Sequence, residues 1–270
     1  MTPLVDCHCH VIDPARFPYR ADTNYRPANQ EVAPLDSLER IMAQHGVRHA
    51  LIVATFSGYG VDLSPVLDAL DRGDGRHKGI AVVDPAIAAS DLARLKARGI
   101  VGVAANTALA GGGDVLNDEL LRKLADLDLI LQLQFKNDEL LAVLPSIERS
   151  GVRLVIDHCG RPFPAGGLDQ PGFQALLALG RAGRAYVKLS GYGQFSLQRP
   201  PHADTWPFVA ALLDGFTPDR CVWGSDWPFL RAAERVDYGP LIALARTLVP
   251  EPAQRKIFWE TPRALFGFQD

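Results

Sequence analysis

Leu4-Val5-Asp6-Cys7-His8-Cys9-His10 begins with two apolar residues and continues as a run in which ionisable side chains alternate with thiols. Read as a strand, successive side chains point to opposite faces, so Asp6, His8 and His10 share one face and Cys7 and Cys9 the other. Core packing has no use for two imidazoles at a strand's end. A proton-handling or metal-binding site has. Two later stretches repeat the design of an apolar run that ends in ionisable residues and a turn. They are Val155-Ile156-Asp157-His158-Cys159-Gly160 and Trp223-Gly224-Ser225-Asp226-Trp227-Pro228. Chemistry placed at strand ends is an enzyme's arrangement.

Outward from these three, apolar β-rich runs recur along the chain. The expected strands are Leu4–His10, Ala50–Ala54, Gly79–Val83, Val101–Ala104, Leu129–Gln134, Arg153–Asp157, Ala185–Leu189 and Cys221–Ser225. Helical patterns lie between them. Leu35–His45 carries Leu38, Ile41 and Met42 at helical spacing and stops at Gly46. Ser90 is placed to cap Asp91–Arg98, Asn117 to cap Asp118–Leu127, and Asn137 to cap Asp138–Arg149, with Pro145 inside the last.

Strict alternation of strand and helix implies a parallel sheet, because parallel neighbours need a crossover of this length. Eight such units in 270 residues imply an α/β fold, a (β/α)8 TIM barrel with residues 1–270 as a single domain. A doubly wound open sheet is the alternative. It would normally bring a Gly-rich phosphate turn after the first strand, where this chain has His8-Cys9-His10-Val11-Ile12-Asp13-Pro14. The irregular stretch from Val11 to Pro34, rich in Pro, Arg and Tyr, reads as a cover over the barrel mouth.

Composition narrows the class. A 47% hydrophobic and 22% charged content is that of an ordinary globular protein. A formal charge of −3 gives no electrostatic reason to expect nucleic acid or an anionic membrane surface as partner. No apolar run approaches the roughly 18 residues of a membrane span, and the N-terminus enters a strand without a signal-peptide pattern. The four cysteines, Cys7, Cys9, Cys159 and Cys221, form no CxxC pair. They read as buried thiols in a reducing cytoplasm, with a zinc–thiolate site as the weaker alternative.

In a barrel the C-terminal strand ends converge on one mouth. That gathers His8, His10, His158 and Asp226 as candidate catalytic residues, a set suited to activating water. Arg161, Tyr25, Ser57, Tyr59, Asn106, Gln134 and Ser190 are the candidate substrate contacts, and Gln132 also lies on the fifth strand. Each has a plainer use. Asp226 can serve as a helix N-cap, and His158 as a satisfied core histidine. Asp157 alternates away from His158 and reads as structural. His45, His49 and His77 fall at a helix end or the opposite rim, and His202 lies in the seventh strand's loop.

His8-x-His10, Asp157-His158-x-Gly160-Arg161-Pro162, Lys188-Leu189-Ser190-Gly191 and Trp223–Pro228, in this order, resemble the amidohydrolase superfamily. So do Phe17-Pro18-Tyr19 and the tail Thr261–Phe268. The resemblance runs from end to end and is closer to the branch of pyrone-dicarboxylate and sugar lactonases. It implies a hydrolase that opens a small lactone. Asp226 would be general base, with His8, His10 and His158 donating hydrogen bonds that polarise the carbonyl. Zinc-dependent members of the superfamily add a fifth-strand histidine to HxH and the eighth-strand aspartate. Gln134 stands near that place here, and the branch resembled works without metal, so no cofactor is expected. A zinc-dependent hydrolase or decarboxylase using His8, His10 and Asp226 is the alternative, and a non-catalytic binding barrel the third. The pyrone lactonases clamp two carboxylates with arginines after strands four and seven. Asn106 and Gly193-Gln194-Phe195 occupy those places, so a sugar lactone or a monoanionic ring is the expected small-molecule partner. Arg16, Arg20, Arg26 and Tyr25 of the first loop are the candidates to compensate.

Overall fold

The computed structural model describes residues 2–108 and 116–269. Each expected run forms a strand: β1 (Leu4–Cys9), β2 (Val47–Val53), β3 (His77–Ala81), β4 (Ile100–Asn106), β5 (Ile130–Gln134), β6 (Arg153–Ile156), β7 (Ala185–Leu189) and β8 (Cys221–Trp223). Nearly every strand residue is buried on whichever face it points to. That is the burial of a parallel sheet covered on both sides.

The strands pair in parallel in chain order, β1 through β8, with no reversal of direction along the sheet. This order is that of a (β/α)8 barrel and rules out the doubly wound alternative. The first strand meets the chain just after the last. The Asp226 amide donates to the His8 carbonyl at 2.7 Å, and the His10 amide donates to the Trp227 carbonyl at 2.9 Å.

The crossovers carry α1 (Leu35–His45), α2 (Ser64–Arg72), α3 (Ala89–Ala97), α4 (Asp118–Asp126), α5 (Leu140–Ser150), α6 (Pro171–Arg181), α7 (Trp206–Phe216) and α8 (Tyr238–Leu248). After them come α9 (Glu251–Arg255), one π turn and α10 (Thr261–Phe266). Asn117 caps α4 as expected, its side chain accepting from the Leu120 amide at 2.7 Å. Two caps differ. Ser90 lies inside α3, which starts after Ala88. Asn137, at φ 52°, opens a separate 3-10 turn, and α5 begins at Leu140 with Pro145 inside it. Among the described residues no helix is long and apolar enough to cross a membrane.

Candidate active site

The site begins with an irregularity in β1. Between Asp6 and Cys9 its register against β2 slips by one residue, which breaks the alternation of faces. Asp6 therefore parts company with His8 and His10. Its carboxylate accepts from the Ser225 amide at 2.9 Å, the Ser225 hydroxyl at 2.6 Å and the Tyr238 hydroxyl at 2.7 Å. It braces β1 against the turn after β8 and against α8, and so fixes where Asp226 stands. Gly224 is required at the same crossing, because a Cβ on it would lie 2.7 Å from Cβ of His8.

Three imidazoles converge on Asp226. Its Oδ1 lies 3.6 Å from Nε2 of His8, 3.7 Å from Nε2 of His10 and 3.8 Å from Nε2 of His158. All four residues are buried. Burial works to raise the Asp226 pKa, but the His158, His10 and His8 rings outweigh it and hold the carboxyl below the ordinary range. Burial, with Lys188 second, lowers His8, and burial lowers His158 to about 4. At neutral pH a carboxylate thus faces neutral His8 and His158 rings.

Outer partners set the ring protons. Nδ1 of His10 is 2.8 Å from the Val53 carbonyl, which only accepts. In the neutral ring the proton is on Nδ1, so Nε2 offers the cup a lone pair rather than the donor expected from sequence. Nδ1 of His158 is 3.0 Å from Oγ of Ser190, a hydroxyl able to play either part.

Beneath the rings lies a charge cluster that the sequence reading missed. Lys188, fully buried in the barrel, places Nζ 2.6 Å from Oε1 of Gln132, 3.1 Å from Oδ1 of Asp157 and 3.3 Å from Nδ1 of His8. Asp157 is not a bystander: Oδ2 accepts from Nε2 of Gln132 at 2.8 Å and Oδ1 is 3.4 Å from Nδ1 of His8. Burial would raise its pKa, yet Lys188 and then His8 keep it well below the usual carboxylate range. Alternation misplaced Asp157 because β6 ends at Ile156. His158 and Cys159 then take positive φ values of 49° and 57°, and a turn resets the direction of both side chains.

The rim residues divide. Ser190 is buried against His158. Asn106 donates to Oε1 of Gln134 at 3.1 Å, Gln134 donates to Oε1 of Gln194 at 3.4 Å, and Gln194 donates to Oδ2 of Asp226. Gln194 joins the site although sequence reading took it only as the absence of an arginine. Half-buried Arg161 has its pKa lowered by burial while Asp226 and then Glu139 oppose that, and its Nε has no hydrogen-bond partner.

Tyr25, Ser57 and Tyr59 instead serve the loops. The Tyr25 hydroxyl donates to Glu31 and its ring lies under the Arg231 guanidinium, 4.2 Å from the centroid. The Tyr59 hydroxyl accepts from the Asp13 amide at 3.1 Å, and the Ser57 amide donates to Oγ1 of Thr55 at 2.9 Å. The first-loop arginines are engaged away from the cup: Arg16 with Asp68, Arg20 with Asp22, and Arg26 with the Ala21 carbonyl.

Residues 5–268 match the family model described as amidohydrolase. The chain belongs to the amidohydrolase family. It is 32% identical to a 4-sulfomuconolactone hydrolase of Rhizobium radiobacter, over 97% of this chain and 89% of that one. A Pseudomonas putida structure provisionally named a 2-pyrone-4,6-dicarboxylic acid hydrolase superposes with a TM-score of 0.87 at 26% identity, over 100% and 99% of the two chains. An amidohydrolase of Burkholderia multivorans with bound zinc shares the fold, with a TM-score of 0.78 at 20% identity over 99% and 100% of the chains.

That neighbour raises the question of zinc in this amidohydrolase. His8, His10 and Asp226 each place one potential ligand atom within 4.8 Å of the others, and so do His8, Asp157 and His158. His10 fits a metal, since its outer nitrogen gives its proton to a carbonyl and its inner one is free. Asp226 fits as well. His8 does not: its Nε2 can ligate only if Nδ1 carries the proton, and Nδ1 faces the Lys188 ammonium, a donor without lone pairs. In the second group the Nδ1 lone pair of His8 already accepts from Lys188, whose ammonium also pairs with Asp157, so neither group is a complete ligand set as hydrogen-bonded here.

Proposed function

We propose that the protein hydrolyses a small lactone, adding water across the ring ester without a metal. The observation that carries the reading is the single carboxylate oxygen ringed by three imidazole nitrogens at 3.6–3.8 Å. The relatives add support, because a 4-sulfomuconolactone hydrolase and a provisionally named 2-pyrone-4,6-dicarboxylic acid hydrolase are both named for hydrolysis of a lactone whose ring substituents differ.

In this mechanism Asp226 and the lone pair of His10 accept hydrogen bonds from the attacking water, and Asp226 takes its proton. His8 and His158 donate to the lactone carbonyl. His8 and His158, whose Nε2 atoms stand 3.6 and 3.8 Å from Asp226 in the free protein, donate to the growing oxyanion instead. Asp226 thereby becomes a stronger base when the proton must move. The proton then passes from Asp226 to the ring alkoxide as the C–O bond breaks. A lactone suits this cup because its leaving group is an alkoxide and no amine has to be protonated first.

The rim supports a substrate class. Asn106, Gln134 and Gln194 form a neutral amide chain that suits hydroxyl groups, and Arg161 offers one cation. A sugar lactone or a ring with a single carboxylate fits better than a dicarboxylate. The four cysteines are free and buried, which suits a reducing compartment, and we place the reaction in the cytoplasm.

The test is a lactone panel followed with a pH indicator, on protein of measured metal content, before and after chelation. Acid release that survives chelation in metal-free protein is the expected result. Activity that is lost on chelation and returns with zinc would give the site to a zinc-dependent hydrolase. Inertness toward the whole panel would overturn the lactonase reading.

A further inference from the structure

We infer that Lys188 is a positioning residue that holds His8 in its Nε2–H tautomer, so that the ring aims a hydrogen-bond donor into the cup instead of a metal-binding lone pair. The observation is a count of protons. An ammonium has three N–H donors to place, and burying one without a partner is costly. Three acceptors surround Nζ of Lys188: Oε1 of Gln132 at 2.6 Å, Oδ1 of Asp157 at 3.1 Å and Nδ1 of His8 at 3.3 Å. Gln132 cannot turn over, because its other end donates to Oδ2 of Asp157 at 2.8 Å. Gln132 and the unprotonated Nδ1 of His8 accept two of these protons, while Oδ1 of Asp157 pairs with the charge but takes no formed hydrogen bond. A proton on Nδ1 would set an N–H against an ammonium N–H where Lys188 is wholly shielded from water.

Asp157 is the competing partner. Its Oδ1 lies 3.4 Å from Nδ1 of His8 and would accept a proton placed there. The two neighbours thus pull the tautomer in opposite directions, and Lys188 prevails because Gln132 would otherwise be its one hydrogen-bond acceptor. Without the ammonium, Asp157 remains as the one charged neighbour of Nδ1, and the ring proton moves to face it. Nε2 of His8 then presents a lone pair beside that of His10 and the Asp226 carboxylate, which is a donor set for zinc. Lys188 therefore keeps this cup a hydrogen-bonding site. The consequence for turnover rests on the lactonase reading; the tautomer does not.

The experiment compares wild type with Lys188→Met by nitrogen-15 spectroscopy of histidine-labelled full-length protein, the His8 signals being assigned by their loss in His8→Gln. Wild type should show His8 protonated on Nε2 and bare on Nδ1, and Lys188→Met the reverse. Zinc titrated into the metal-free variant should bind at least tenfold tighter than to wild type. If the unpaired Asp157 prevents Lys188→Met from folding, Lys188→Met combined with Asp157→Asn removes both charges and leaves an acceptor for Nδ1. A wild-type His8 protonated on Nδ1 overturns the inference, and so does a variant with an unchanged tautomer. A correct tautomer in protein inert toward every lactone would overturn the proposed function and leave this inference standing.

Discussion

Gly191 lies edge-on to the His158 ring, so close that a Cβ added to it would stand 2.5 Å from Nδ1 and 2.7 Å from Cγ. Its φ of 62° is also one that side-chain-bearing residues resist. The glycine after Ser190 is thus a packing condition for the cup, since the ring it supports is the one that hydrogen-bonds Ser190 and faces Asp226. Gly191→Ala should push the imidazole out of line and lower kcat/KM about 100-fold, the usual cost of displacing a reacting group by roughly an ångström. Backbone strain should cost about 1–3 kcal/mol, read as a lower urea midpoint. Full activity in Gly191→Ala would mean that the His158 position does not matter.

Asp226→Asn keeps the shape of the side chain and the Gln194 contact but removes the proton acceptor. Its turnover should fall about 100- to 10,000-fold on whichever lactone the wild type opens, with KM changed much less. Rates close to wild type would remove Asp226 from the role of base.

Much of this was legible in the chain. The eight strands could be read because each is an apolar run bounded by turn residues and separated by helical periodicity. His8, His10, His158 and Asp226 could be read because each ends such a run. What could not be read has local causes. The one-residue slip in β1 sent Asp6 to Ser225 and Tyr238, and no composition signal announces a bulge. The left-handed turn at His158 brought Asp157 inward against the alternation rule. Lys188 did carry a signal, a lone charge inside Ala185-Tyr186-Val187-Lys188-Leu189. A buried ammonium needs partners, and these come from Gln132 on β5, Asp157 just past β6 and His8 on β1, all distant in the chain. The loop contacts of Tyr25 and Tyr59 could not be read because loop-to-loop hydrogen bonds are invisible until the loops are folded.

Acid should weaken the fold through the same histidines. His158 titrates at about 4 in the folded protein against an ordinary 6.5, burial being the main cause. Its folded pKa is the lower one, so the unfolded chain binds more protons between these values. The stability it contributes is complete above about pH 6.5 and is lost as pH falls through about 4, amounting to about 3 kcal/mol. Urea unfolding at pH 7.5 and pH 4 should show wild type losing about that much more than His158→Gln. Parallel losses in the two proteins would place the acid sensitivity elsewhere.

Gln194 lies where its amide touches both Asp226 and Gln134, on the loop that follows β7. Gln194→Arg puts a guanidinium at that point, able to meet a carboxylate on the ring with a charge-assisted hydrogen bond worth about 1.5–3 kcal/mol. The same cation has an unfavourable alternative, since pairing with Asp226 would make the base weaker. Two effects should therefore appear together. The kcat/KM for neutral sugar lactones should drop, and the ratio of carboxylated to neutral lactones should rise at least tenfold. Measuring both substrates on both proteins separates the two effects, because weakening of Asp226 lowers the two rates in proportion and leaves the ratio alone. A ratio that does not move would show that the amide chain serves Asp226 and takes no part in choosing the substrate.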